Sequence, residues 1–179
     1  MKYIYIPPRA FGSNSYIVYN GQTLEGFVID PGISGEKALK TAKENNIKLV
    51  AQLFTHGHFD HVWDAKKLQK IGIPVYMRED NLALAYGPRF EPFTPDKILS
   101  EGKINLCGIE IEVIATPGHS DGSCCFVIEN LLFSGDTLFS DGGIGRYDLP
   151  SGSFEKLTIS LKKLLPFKDG YLLLPGHGL

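Results

Sequence analysis

His56-Gly57-His58-Phe59-Asp60-His61 stands directly after the apolar run Leu49 to Thr55, so three of the chain's five histidines leave the end of a buried strand together. At this chain's own His and Asp frequencies, an HxHxDH hexapeptide arises by chance with a probability of about two in ten thousand. Imidazole and carboxylate are the donors that borderline divalent metals such as Zn²⁺ prefer. Alternate residues of an extended segment share a face, so His56 and His58 are placed to grip one ion. Asp60 and His61, after the chain turns, are placed to reach a second. A solvated polar loop at a strand end is the competing reading, and it does not account for so narrow a choice of polar types.

The remaining two histidines each occupy a Gly-flanked turn after a strand, in Thr116-Pro117-Gly118-His119 and Pro175-Gly176-His177. Alone, either is more often a surface or satisfied core residue. Beside the hexapeptide they complete a donor set that leaves no histidine over. Asp136, in Ser134-Gly135-Asp136-Thr137-Leu138, also follows a strand, and its two oxygens suit it to bridge two ions.

Around these turns the pattern alternates strands and helices. Tyr3 to Ile6, Tyr16 to Tyr19 and Phe27 to Asp30 read as a β-meander. Ser34 is placed to cap a helix to about Asn46, with Ala38, Leu39 and Ala42 on one face. A helix over His61 to Ile71, a strand Val75 to Met77 and a helical segment around Asp80 to Tyr86 follow. Gly87 to Pro95, interrupted by three prolines, reads as an ordered loop. Strands are expected at Ile104 to Leu106, Ile109 to Ala115, Ser123 to Ile128 and Leu131 to Phe133, with turns at Gly108 and Asn130. Ser153 is placed to cap a last helix to about Leu165, before a strand Tyr171 to Leu174. Two α/β halves packed sheet against sheet fit this order.

Composition narrows the function classes. In 179 residues, 43% hydrophobic and 21% charged describe a soluble globular chain, neither disordered nor membrane-spanning. Eighteen Lys and Arg against twenty Asp and Glu leave a net charge of -2, so no global field attracts nucleic acid. The three cysteines, Cys107, Cys124 and Cys125, show no CxxC spacing and read as buried, reduced thiols. Cys124 and Cys125 should point to opposite faces of one strand. The apolar run at the N-terminus is too short for a signal peptide, so a cytoplasmic location is expected.

The order HxHxDH, distant His, Asp in a GDTLF segment, final His resembles the metallo-β-lactamase fold superfamily. Within it, Gly135-Asp136-Thr137-Leu138-Phe139 through Gly145-Arg146-Tyr147-Asp148-Leu149-Pro150 resembles the glyoxalase II-like hydrolases, from about Tyr3 to the C-terminus. The resemblance implies an α/β, four-layered αββα sandwich, a single domain over residues 1–179, with metals in loops at one edge of the paired sheets. It assigns His56, His58 and His119 to a first metal, Asp60, His61 and His177 to a second, and Asp136 to a bridge. The implied cofactors are two divalent transition-metal ions, Zn²⁺ first, with iron and manganese as alternatives. Flavodiiron relatives carry Glu where His58 stands, and β-lactamases carry Cys where Asp136 stands, so neither activity is expected. Full glyoxalase II enzymes add a C-terminal helical glutathione-binding domain, which is not found before Leu179. Asp121 stands where the family usually has Pro, a difference read as local turn chemistry.

The implied activity is hydrolysis of a small-molecule thioester such as S-lactoylglutathione, with neither nucleic acid nor membrane as partner. Paired cations supply hydroxide at neutral pH, Asp60 orients it, and Asp136 holds the ions in register. Arg146, one of four arginines, sits in a Gly-rich loop where the family places a basic residue for a glutathione carboxylate. A salt bridge from Arg146 to Asp148 is an equal alternative, and Tyr147 could assist either role. Tyr86, Arg89, Phe90 and Phe93 are candidates to shape a pocket, with ordinary packing the stronger reading. The rival function is a persulfide dioxygenase with one iron on two His and one Asp. Such enzymes resemble this chain at HxHxDH and share a Gly-Arg-x-Asp stretch.

Overall fold

A computed structural model describes residues 1–79 and 91–178. The helical segment expected at Asp80 to Tyr86, the first part of the proline-interrupted loop, and Arg89 and Phe90 lie outside the described residues. Among the described residues, eleven strands form two sheets. In the first, β1 (Lys2–Ile6), β2 (Ser15–Tyr19) and β3 (Glu25–Ile29) form the expected antiparallel meander, continued in parallel by β4 (Lys48–Leu53), β5 (Val75–Met77) and β6 (Lys97–Ile98). The second runs β11-β10-β9-β8-β7, from β7 (Gly102–Leu106), β8 (Ile109–Ala115), β9 (Cys124–Ile128), β10 (Leu131–Gly135) and β11 (Leu172–Pro175).

Strand alternation divides the apolar residues between two sides of each sheet. Tyr16, Val18, Phe27 and Ile29 point inward onto Ile111, Val113, Phe126 and Phe133 of the other sheet, forming the central core. Ile17 and Val28, one residue out of phase, pack on Ala38 and Ala42 of α1 (Gly35–Glu44) and Leu68 of α3 (Ala65–Lys70). Cys124 joins the central core, whereas Cys125 and Val127 pack with Leu164 of α4 (Phe154–Leu164) on the opposite face. Helix, sheet, sheet and helix therefore stack as the expected αββα sandwich. All three cysteines are free, but Cys107 is only half-buried, because it stands at φ 55° in the turn between β7 and β8.

Two local expectations change. Ser34 does not cap α1 with its side chain; the Gly35 N–H instead donates to the carboxylate of Asp64, at 3.0 Å. The helix expected over His61 to Ile71 is interrupted at that same residue. The chain forms α2 (Phe59–Val62), turns at Trp63 and Asp64, and resumes as α3. Asp64 also donates its N–H to the Gly32 carbonyl at 2.9 Å, so the break locks the hexapeptide turn against the start of α1. Ser153 does cap α4, accepting from the Lys156 N–H at 3.3 Å. No helix among the described residues is long and apolar enough to cross a membrane.

The strand directions position the site. β3 and β4 run parallel, as do β10 and β11, and β8, antiparallel to β9, shares the direction of β10. The segments that carry Asp30, His56, His119, Asp136 and His177 thus all leave C-terminal strand ends at one edge of the sandwich, where α/β folds gather their ligands. The two sheets are tied there by Cys124 N–H to the Thr55 carbonyl at 2.9 Å and by the Tyr16 hydroxyl to the Pro175 carbonyl at 2.7 Å.

Candidate metal centre

Three donor groups within bonding reach of one another lie at that edge: His56, His58 and His119; His56, His61 and Asp136; and Asp60, His61 and His177. The structure therefore brings all seven sequence-derived donors together. The first and third groups coincide with the two ligand sets implied by resemblance, and the middle group joins them through Asp136. Asp136 Oδ1 lies 3.4 Å from His61 Nε2, and Oδ2 lies 3.6 Å from His119 Nε2 and 3.5 Å from His177 Nε2. Asp60 Oδ2 is 3.0 Å from His177 Nε2 and 3.6 Å from His61 Nε2.

Hydrogen bonds on the far side of each ring set which nitrogen faces the centre. His119 Nδ1 lies 2.7 Å from the Arg146 carbonyl, which only accepts, so Nδ1 carries the proton. His61 Nδ1 donates to Asp30 Oδ2 at 3.0 Å. The Thr55 hydroxyl donates to that same carboxylate at 2.6 Å, so it accepts from His56 Nδ1 at 3.1 Å. In all three rings Nε2 is the nitrogen directed inward, and once neutral it offers its lone pair there. His56 and His119 then face each other with Nε2 atoms 3.2 Å apart, an arrangement that repels unless a cation is shared. His61 Nε2 and Asp136 Oδ1 are buried without a hydrogen-bond partner. Orphaned donors of these types converging on one space fit divalent metal ions.

Asp30 and the Arg146 carbonyl are the functional groups that sequence reasoning missed. By sequence Asp30 is no more than a strand end. It is buried at 2% exposure, holds Thr55 through both N–H and hydroxyl, and so aligns His61 directly and His56 through Thr55. The sequence signal is its type and place, an aspartate before Pro-Gly at a strand end, which suits the left-handed turn it adopts at φ 46°. The final turn is equally constrained. A Cβ on Gly176 would fall 2.3 Å from Asp136 Oδ1 and 2.7 Å from His61 Cε1, so no larger residue fits beside His177.

Arg146 forms the salt-bridge alternative: Nε and Nη2 donate to the two carboxylate oxygens of Asp148, each at 3.0 Å, with both side chains exposed. It also lies in the wall of the cavity that opens on the donors. Tyr147 is not brought into that wall; its ring packs on Phe154, centroids 4.9 Å apart. Phe93 packs on Phe54, as the ordinary reading expects. Asp121 binds Lys156 of α4 at 2.6 Å, which gives its turn-chemistry reading a partner.

Charge is unevenly shared within the cluster. Burial pushes His56 well below its ordinary value, and neighbouring imidazoles add to this; burial likewise lowers His58 to about 4. Burial also disfavours charge on His61, but the carboxylates of Asp136 and Asp30 outweigh it and raise the ring well above its ordinary value. The bond to Asp60 raises His177. Burial alone would raise Asp136, yet His61, His177 and His119 hold it at about 2. Metal ligation requires neutral imidazole, so the raised rings must give up protons on loading. Zinc added to metal-free protein at pH 7 in weak buffer should therefore release about one to two protons per chain, read with an indicator dye. The sign follows: apparent zinc affinity falls as pH falls, and uptake without acidification would contradict this charge distribution.

The sequence profile of the metallo-beta-lactamase superfamily matches residues 8–177. The chain is 34% identical to the hydroxyacylglutathione hydrolase GloC of Haemophilus influenzae, over 97% of this chain and 89% of that protein. Among solved structures it is similar to the BLEG-1 B3 metallo-beta-lactamase, at 31% identity and a TM-score of 0.90, covering 99% of this chain and 92% of the other. It is also similar to TTHA1623 in a di-iron-bound form, at 34% identity and a TM-score of 0.80, covering 97% and 93%. Matches of this extent reach both sheets and every donor turn. With a His/Asp centre for divalent metal ions at the edge of its sandwich, this chain belongs to the metallo-beta-lactamase superfamily.

Proposed function

We propose that the protein is a binuclear metal-dependent hydrolase that cleaves a small-molecule thioester, with S-lactoylglutathione or a related glutathione thioester as substrate. The observation that carries this reading is the junction of the two donor triads at Asp136 on the floor of an open cavity. His56, His58 and His119 would hold one ion, Asp60, His61 and His177 the other, and Asp136 would touch both, with zinc as the resident metal. Divalent ions held there supply a water activated at neutral pH and a Lewis acid for a carbonyl. The relative named as a hydroxyacylglutathione hydrolase, and the GDTLF to GRYDLP segment, support the thioester over other acyl substrates. The di-iron form of a structural relative supports a count of two ions.

The chain's own groups divide the remaining work. Asp60, kept ionised below its ordinary value by its bond to His177 and by His61 despite the opposing effect of burial, accepts a hydrogen bond from the attacking water and aims it at the carbonyl. The water oxygen bonds to the acyl carbon and the C–S bond breaks; one water proton passes to Asp60 and on to solvent, the other is lost to solvent as the acid leaves as carboxylate, and the sulfur leaves as thiolate. A thiolate leaves without a dedicated general acid, and none is required from the cavity wall. The exposed Arg146–Asp148 pair sits at the rim, where a substrate carboxylate can exchange with Asp148 at little cost, since exposed pairs in water are weak.

Thiol release from S-lactoylglutathione by zinc-loaded protein tests the proposal. Arg146→Ala should raise KM for this substrate roughly tenfold or more, with kcat little changed, because the carboxylate it meets is remote from the carbonyl. A neutral thioester should not distinguish the two forms. A β-lactam and glutathione persulfide complete the panel. Lactam opening without thioester cleavage, or oxygen uptake on the persulfide by an iron-loaded protein, would displace the thioesterase reading.

A further inference from the structure

The cavity over the donors holds about 500 Å³ and has a floor and a wall of opposite character. Its floor is His58, Asp60, His119, Asp136 and His177; its wall is Phe59, Phe139, Ile144, Leu149 and Pro150, together with Arg146. Among the described residues, Arg146 is the wall's one lysine or arginine, and its charge is already met by Asp148. The apolar surface continues beyond the rim. Phe59, 40% exposed, lies with its ring 6.0 Å from that of Phe11, which is 68% exposed, and 6.4 Å from that of Trp63. A single exposed aromatic needs no explanation, but an exposed pair in contact, backed by the half-buried Trp63 and leading into a cavity, marks a surface kept for an apolar ligand.

Resting on the thioesterase reading, we infer that the acyl group of the substrate is apolar and longer than lactoyl, lodged against Phe59, Phe139, Ile144 and Leu149 with Phe11 at the mouth. A lactoyl hydroxyl pressed on the side chains of Phe59, Phe139, Ile144 and Leu149 would exchange water for surfaces that offer no hydrogen bond. Each buried methylene, in contrast, favours binding by about fourfold. The cavity is within the size range of small-molecule sites, about 300–1,000 Å³, and a lactoyl group fills little of it.

Glutathione thioesters that differ only in their acyl group, lactoyl, acetyl, butyryl and hexanoyl, test the inference with the thiol held constant. We expect kcat/KM to rise by at least about tenfold from acetyl to hexanoyl, with lactoyl near acetyl. Leu149→Asn and Phe11→Ser should each shrink the hexanoyl-to-acetyl ratio several-fold, at a melting temperature that for the exposed Phe11 stays unchanged. A second readout does not need turnover: Trp63, the chain's one tryptophan, should report hexanoate binding by fluorescence at least tenfold more tightly than lactate. A flat or falling acyl series, or equal affinities for hexanoate and lactate, overturns the inference while leaving thioester hydrolysis in place. Tight hexanoate binding without cleavage of any thioester overturns the proposed function and supports the apolar cavity.

Discussion

Asp136→Ala should purify with at most one zinc per chain after reconstitution in excess metal, and should lose more than about 1,000-fold in turnover. That exceeds the 10–100-fold expected from removing an outer partner of a metal ligand. The reason is geometric. One carboxylate stands 3.4 Å from His61 Nε2 and 3.5–3.6 Å from His177 and His119, so its two oxygens serve both triads at once. Its removal leaves the raised charge on His61 with Asp30 as the chief remaining counter-charge in a fully buried position. Elemental analysis and thiol release measure the two effects separately. An Asp136→Ala protein that keeps two ions and normal turnover would show that the bridge is misassigned.

Asp30→Ala should be the most damaging substitution outside the donors. Three buried groups lose their acceptor: the Thr55 N–H at 2.8 Å, the Thr55 hydroxyl at 2.6 Å and His61 Nδ1 at 3.0 Å. Stranding buried donors costs about 1–3 kcal/mol each, so metal-free protein should lose at least about 3 kcal/mol in denaturant melts. His61 and, through Thr55, His56 also lose the bonds that fix their tautomers, and zinc affinity should fall by about 10–100-fold. Asp30→Asn separates the two contributions. It keeps the volume and one acceptor oxygen, so stability should recover in part, while a competition assay should still find weakened zinc binding. Unchanged zinc affinity in both variants would deny Asp30 its aligning role.

Much of the fold was legible because its signals are local. The meander, the strand pairs around Cys107-Gly108 and Glu129-Asn130, and the Ser153 cap each follow from residues within a few positions of one another. The helix expected over His61 to Ile71 is interrupted for the opposite reason. At the break the Asp64 N–H bonds to the Gly32 carbonyl, thirty-two residues away, instead of to a carbonyl one turn back. Ser34, a good capping residue by type, is displaced by that same distant acid, and its hydroxyl is left buried without a partner.

The sequence by itself determined the chemistry available: which side chains can donate to a metal, that each stands just after a strand, and that the strands and helices alternate so as to need two sheets. Those are properties of residue type and short-range periodicity, which a one-dimensional reading carries in full. Tertiary structure alone decided the rest. Five strand ends meeting at one edge brought His56, His119, Asp136 and His177 into contact across up to 121 positions of chain. Acceptors from unrelated segments, Asp30 and the Arg146 carbonyl, chose the tautomers of His61 and His119. The same folding seated Tyr147 on Phe154 and lined the cavity with apolar side chains from separate loops. Hydrogen bonds and cavity walls act through space, so their partners are fixed only once the sheets have packed.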